Sequence, residues 1–404
     1  MGLSIERIEI LLLIAAVVAM LARRLHVPYS VGLVFAGVAL ALLPFSPNIV
    51  LTKQLVFTAF LPPLIFEAAF QLRWRELRKD LPVILTLATV GVVLSAAATA
   101  IGMHYLAQWT WISAMVFGVL IAATDPVSVI AMFKDAKVHG RIRLLVEAES
   151  LFNDATAAVA FTIVIVFASG QSIGAVGVTK TLLIMVAGSL VCGAAVAGLG
   201  LLLAGATDDH LVEITFTTVA AFGSFLLAEH FHLSGVLASL TAGLILGNVG
   251  HLAIDPKGRA AVEEFWEYAA FVANSLIFLL IGMRLANQDY GFILLPALIA
   301  IGVVILGRAI AVYPLSLLFA RSTLRIKPQH QHILFWGGLR GALALALALG
   351  LPPEMPGREA IITVAFAVVA FSIFVQGMTI KPLMRRLGEI TNDEGPGIQK
   401  DLRT

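Results

Sequence analysis

Charged side chains are scarce in this chain: of 404 residues, 13% are Asp, Glu, Lys or Arg, about half the share that dresses an ordinary soluble domain. With 59% hydrophobic residues, a water-soluble fold would have to expose apolar surface on every side. Cysteine is nearly absent. Cys192 stands alone in an apolar run, which excludes a disulfide framework and a cysteine-based metal site. A surplus of one sign of charge is missing too. The formal net charge of +2 carries neither the basic footprint of a nucleic-acid binder nor an acidic partner surface. The histidine pairs His230/His232 and His330/His332 have a spacing that points side chains apart on a helix, so no resident cofactor is expected. Glu6, Arg7 and Glu9 precede the first apolar run, which ends at Arg23-Arg24 without a small-residue cleavage site. That is not a secretory leader, and the run is expected to be a retained helix.

Long apolar segments are what the chain has in abundance, and its mean hydropathy is +0.96. Candidate spans fall near 8–22, 28–43, 51–72, 81–106, 111–133, 144–169, 180–205, 211–230, 234–250, 261–283, 291–320, 329–351 and 358–382. A helix needs on the order of 20 residues to cross a bilayer, so the sequence predicts an all-α polytopic membrane protein of about 13 transmembrane helices. Loop charge checks the count. Eighteen Lys and Arg fall on the connections of one side, against Arg7, Lys53, Lys180, Arg284 and Arg358 on the other. By the positive-inside rule the N-terminus is outside and the basic end of the last span is cytoplasmic, which fits a multi-pass protein of the cell (inner) membrane. Residues 388–404 read as a short polar cytoplasmic tail, with no soluble regulatory domain.

Ionisable groups at mid-helix cost about 2.5–3.5 kcal/mol each on insertion scales and point to function. Asp125 lies near the centre of the fifth span, Asp154 of the sixth, Arg308 of the eleventh and Arg340 of the twelfth, while Glu67 sits in the inner half of the third. Pro126 disfavours helix at Asp125, and Gly337, Gly338 and Gly341 weaken the helix around Arg340. If spans 1–6 and 8–13 form inverted repeats, these breaks occupy the fifth helix of each, the arrangement that marks a transporter's midplane site.

Asp125, Asp154, the Ser150 hydroxyl and the Thr124 carbonyl are oxygen donors, suited to a hard cation such as Na+. Ser150 and Asp154 share a helix face at i,i+4. Burial disfavours an ionised carboxylate, so such a group takes either a proton or a cation, and competition for one site with alternating access couples their opposed movement. Glu149 and Arg308 read as a structural pair. Glu147 reads as snorkelling or structural, and Glu213 and Glu229, which flank the eighth span, as interfacial.

Thr124-Asp125-Pro126, Glu149-Ser150-Leu151-Phe152-Asn153-Asp154, Gly337-Gly338-Leu339-Arg340-Gly341 and Pro62-Pro63-Leu64-Ile65-Phe66-Glu67 together resemble the cation/proton antiporter family, in its branch of NhaP-type and eukaryotic sodium/proton exchangers. The resemblance covers the membrane domain, 1–387. It implies a homodimer, with a dimerisation part near 1–80 and 206–284, a linking helix at 180–205, and a core near 81–170 and 290–387 that holds two crossed broken helices. It implies that Asp154 is the main carrier of ion and proton. Asp125, Ser150 and the Thr124 backbone would complete Na+ coordination, with Glu67 contributing directly or through water. Asn153 would organise the site, Glu149–Arg308 would be structural, and Arg340 would compensate the helix ends at the crossing. Asn153-Asp154 stands where electrogenic relatives carry Asp-Asp, which implies electroneutral one-for-one exchange.

Three rivals were weighed. An intramembrane aspartyl protease would carry Gly-x-Gly-Asp, and neither aspartate does. A passive cation channel would need filter loops that the sequence lacks. Potassium/proton exchange would use the same oxygens as exchange of Na+ or Li+, so the choice of ion rests on cavity dimensions.

Overall fold

The computed structural model describes residues 5–25, 27–43, 51–125, 129, 130, 133, 138, 140–169, 174–207, 209–253, 256–286 and 293–390. Pro126 and the polar tail beyond Ile390 lie outside the described residues. In chain order the helices are α1 (Ile5–Leu25), α2 (Tyr29–Ala41), α3 (Lys53–Gln71), α4 (Trp74–Leu106), α5 (Trp111–Leu120), α6 (Arg141–Ala168) and α7 (Ala175–Ala204). They continue as α8 (His210–His230), α9 (Gly235–Val249), α10 (Pro256–Ala286), α11 (Leu294–Leu318), α12 (Pro328–Trp336), α13 (Ala342–Leu349) and α14 (Arg358–Arg386). Among the described residues nine helices are long and apolar enough to cross a membrane, and α1, α2 and α5 carry shorter apolar stretches. No strand occurs among the described residues. An all-helical bundle is the expected solution in lipid, where each backbone group must be satisfied within its own segment.

Local signals set the helix starts. Thr52, Thr110, Asp209 and Ser234 each accept a hydrogen bond from a backbone N–H of the first turn of α3, α5, α8 and α9, satisfying donors that helix geometry leaves orphaned. Pro328 opens α12, where its missing N–H costs nothing. In α3, Pro62 and Pro63 cannot continue the hydrogen-bond ladder, and the preceding turn, Val56–Phe60, is widened to a π turn, as at other interrupted ladders.

α4 and α10 are among the spans that start earlier than hydropathy predicts. α4 begins at Trp74 and α10 at Pro256, against expected starts of 81 and 261. Their first turns are amphipathic: Leu77 is buried while Arg75, Arg78 and Lys79 face outward. A hydropathy window sees only the lipid-facing part of such a helix. Asp80, also buried, receives Arg141 Nε and Nη2 from the start of α6 at 2.9 and 2.7 Å, and Arg141 further donates to the carbonyls of Leu324 and Arg325. Glu213, in the first turn of α8, is 1% exposed, where α8 packs against α7, α9 and α10.

α2 lies along α10, and α3 along α9; α4 packs on α11 and α5. The α2–α10 crossing is very close, because a Cβ on Gly37 would stand 3.0 Å from Gly282 Cα. Lipid tails are as apolar as Leu, so contact of this kind, backbone on backbone, is what holds membrane helices together.

Candidate functional site

The fifth span was expected to break at Pro126, but α5 stops at Leu120, and residues 121–125 are already unwound. Part of the cause is local, since Pro126 has no N–H to offer Ala122 O. The rest lies across the bundle. Arg340, in the interruption between α12 and α13, donates Nη1 to Ala122 O at 2.6 Å and to Ala123 O at 3.1 Å. A buried guanidinium thus takes the carbonyl that proline leaves free and the next one, as unwound backbone at membrane depth requires. The dependence is mutual. The Asp125 N–H donates to Leu339 O at 2.7 Å, so each interrupted segment is held by the other.

Asp125, thus anchored, faces α6. Asp154 on that helix receives the Thr124 backbone N–H, and it feels the charges of Asp125 and Glu149 as repulsion and of Arg340 as attraction. Its Oδ1 is buried without a hydrogen-bond partner. Thr124 is also engaged through its side chain: its hydroxyl donates to Ser150 Oγ at 3.0 Å and accepts Asn153 Nδ2 at 3.3 Å. Asn153 Nδ2 also reaches Glu149 Oε1 at 3.3 Å. Glu149 in turn receives Arg308 Nη1 at 2.7 Å and Nη2 at 3.0 Å, a bidentate pair between α6 and α11 of the strong, planar kind. Thr124, Ser150, Asn153, Glu149, Arg308 and Arg340 are all buried. A hydrogen-bonded chain therefore runs from the ion pair through Asn153 to Thr124 and Ser150, and the Thr124 N–H meets Asp154.

Both aspartates open on one cavity of about 920 Å³. Thr124, Asp125, Leu151, Asp154 and Gly341 form one wall; Glu67, on α3, lines the same cavity and accepts a hydrogen bond from Gln71 Nε2. Glu147 also lines it and pairs with Arg143 at 3.6 Å. Tyr29, Phe271 and Asn274, which the sequence did not single out, line it as well. Tyr29 stacks on Phe271 and hydrogen-bonds Ser275. Asn274 could have been found as an amide within an apolar span, while Tyr29 sits next to a helix start and gives no such signal. The lining also includes Ala22 at the end of α1, Val27 and Pro28 before α2, and Lys381 and Arg385 at the end of α14. A carboxylate pair lining an open cavity, beside hydroxyls and amides, can bind a small hard cation or a proton. Among the described residues no cluster of His, Cys, Asp and Glu has the geometry of a resident metal site.

Comparison with known proteins agrees in both sequence and fold. The family described as sodium/hydrogen exchanger, transmembrane, matches residues 11–386. The chain belongs to the sodium/hydrogen exchanger family. The Na(+)/H(+) antiporter ApNhaP of Aphanothece halophytica is 39% identical over 372 residues, which is 90% of this chain and 70% of that protein. The Na(+)/H(+) antiporter NhaH of Halobacillus aidingensis is 34% identical, with 95% of this exchanger and 97% of that one covered. The structure of the sodium proton antiporter MjNhaP1 from Methanocaldococcus jannaschii at pH 8 superposes with a TM-score of 0.78 at 20% identity, covering 95% of this chain and 98% of that one. The fold is therefore that of an NhaP-type exchanger. Relatives of this family are transporters and not enzymes, and the protease reading falls with them.

Proposed function

We propose that this exchanger moves Na+ (or Li+) against H+ across the cell membrane, one for one and without net charge movement, with Asp154 as the carrier of both. The observation that carries this reading is the pair Asp125 and Asp154 lining one open cavity, Asp154 holding a buried carboxylate oxygen that no protein donor satisfies. Asp125, Ser150 and Thr124 complete the coordination shell, and Glu67, on α3, attracts the ion into the cavity. A site with a single exchangeable charge takes a proton or a monovalent cation, so each departure makes room for the other. Asn153, an amide, adds no second exchangeable charge beside Asp154, which favours the electroneutral outcome.

The remaining architecture follows the same reading. About 13 spans, as two inverted repeats, form a homodimer with a dimerisation part (1–80 and 206–284) and a core (81–170 and 290–387) joined by the helix at 180–205. The packing supports the repeat: exchanging the first six spans for the last six turns the α2–α10 pair into α9–α3, the other long-packed pair, and returns α4–α11 to itself. With the basic connections in the cytoplasm, a cavity lined at Lys381 and Arg385 opens inward. Alternating access then requires the core to shift against the dimerisation part and close that opening.

The test uses purified protein in liposomes with a pH-sensitive dye inside. A pH gradient is imposed, then Na+, Li+ or K+ is added, with the membrane potential clamped or free. Na+-driven proton movement that is indifferent to the clamp and absent in Asp154→Asn is expected. Equal movement in the mutant would remove Asp154 from its role, and preference for K+ would reassign the ion.

A further inference from the structure

α14 is not a uniform helix. Its turn Ser372–Gln376 is a π turn, and π turns shift the side chains that follow onto a new face, often at functional sites. Here the turn brings two polar residues inside an otherwise apolar stretch. Ser372 is 0% and Gln376 7% exposed. Ser372 Oγ accepts the backbone N–H of Arg340 at 2.7 Å, and Gln376 Nε2 donates to Trp336 O at 3.4 Å. Trp336 is the last residue of α12, and Arg340 lies two residues before α13. The two side chains therefore grip the interruption at both of its ends.

Between those two grips lies Leu339, whose carbonyl receives the Asp125 N–H. The Arg340 guanidinium leaves the same point for Ala122 O and Ala123 O. Any rotation of the Arg340 peptide would therefore move both the anchor of Asp125 and the cap on the unwound end of α5. Regular α-geometry from Ser372 to Gln376 would turn Gln376 to another face while Ser372 held the Arg340 N–H, leaving Trp336 O without that donor.

We propose that Ser372 and Gln376, presented by the π turn of α14, are positioning residues of the cation site: they fix the Trp336–Arg340 backbone in the register that sets Asp125 beside Asp154. This rests on the reading of that site as the Na+ site. Neither residue touches the ion, so their effect falls on affinity and not on the rate of the loaded carrier.

The experiment measures Na+-driven exchange in proteoliposomes, and Na+-dependent thermal protection of the detergent-solubilised protein, for wild type, Ser372→Ala, Ser372→Thr and Gln376→Leu. Losing a hydrogen bond to a buried backbone group should raise the apparent KM for Na+ about tenfold in Ser372→Ala, with kcat changed less than about twofold. Ser372→Thr, which keeps the hydroxyl, should return close to wild type, and Gln376→Leu should resemble Ser372→Ala. Wild-type KM in both Ser372→Ala and Gln376→Leu overturns the proposal, as does a fall in kcat at constant KM. Should Ser372→Ala not fold, Gln376→Leu decides by the same criteria. A wild type that exchanges no cation refutes the functional reading itself and is a separate result.

Discussion

Gly341 lies directly against the carboxylate of Asp125: a Cβ on Gly341 would overlap the Asp125 side chain from Cβ to Oδ2. Glycine at this point of the interruption makes room for the aspartate of the opposite segment. The substitution Gly341→Ala should abolish exchange while leaving the protein monodisperse on size exclusion, since the clash is confined to the crossing. Gly302→Ala meets nothing within 4 Å and serves as the control, with unchanged transport.

Asp154→Asn should leave the protein folded and uncouple its stability from Na+. A cation at 100 times its Kd protects the native state by about 2.7 kcal/mol. The expected result is a rise in Tm with added Na+ for wild type and a flat response for the mutant. A rise of the same size in both would place the ion elsewhere.

The pH dependence follows from competition. Acidification protonates the shared carboxylate and Na+ must displace that proton, so falling pH raises the apparent KM for Na+. Once protons dominate, the rise is about tenfold per pH unit for a single site binding one proton. The sign is fixed: Na+ affinity is greatest on the alkaline side and is lost as pH falls. A KM that is constant from pH 6 to pH 9, measured with equal pH on both sides, would rule out a shared site.

The Arg308–Glu149 pair gives a prediction about stability. Removing one partner strands a buried charge, at a cost of about 3–5 kcal/mol. Arg308→Met should therefore lower the Tm of the detergent-solubilised protein sharply, and Arg308→Met with Glu149→Leu should recover much of the loss. Transport should stay impaired in the double variant, because Glu149 Oε1 also orients Asn153.

The residues most legible in the sequence were those whose chemistry is conspicuous on its own. Asp125, Asp154, Arg308 and Arg340 stand out because an apolar run makes any charge visible, with no geometry needed. The Glu149–Arg308 pair could be read the same way. What escaped was governed by distant partners. Pro126 signals that α5 breaks, but the carbonyls beyond its end are taken by Arg340, 218 positions away from Ala122 in sequence. The Thr124 hydroxyl was overlooked in favour of its carbonyl because its acceptor, Ser150, becomes a neighbour only when α6 packs against the unwound segment. The burial of Glu213 among α7, α9 and α10 was not legible, because an acid near a helix end does not announce its neighbours. The early starts of α4 and α10 were hidden by their polar first turns.

The ties around the two aspartates have a mechanical consequence. Arg340 joins the α12–α13 interruption to α5, Arg308 joins α11 to α6 and, through Leu334 O at 2.8 Å, to α12, and Ser372 joins α14 to the same point. Six helices are thus pinned to one another by bonds that cannot slip without exposing a charge or a peptide to hydrocarbon. If this block is the part that moves, it moves as a solid body, and the ion rides in a mounting whose shape is the same at both ends of the journey. Affinity on the two faces of the membrane would then be alike, and the direction of exchange would be set by the gradients alone.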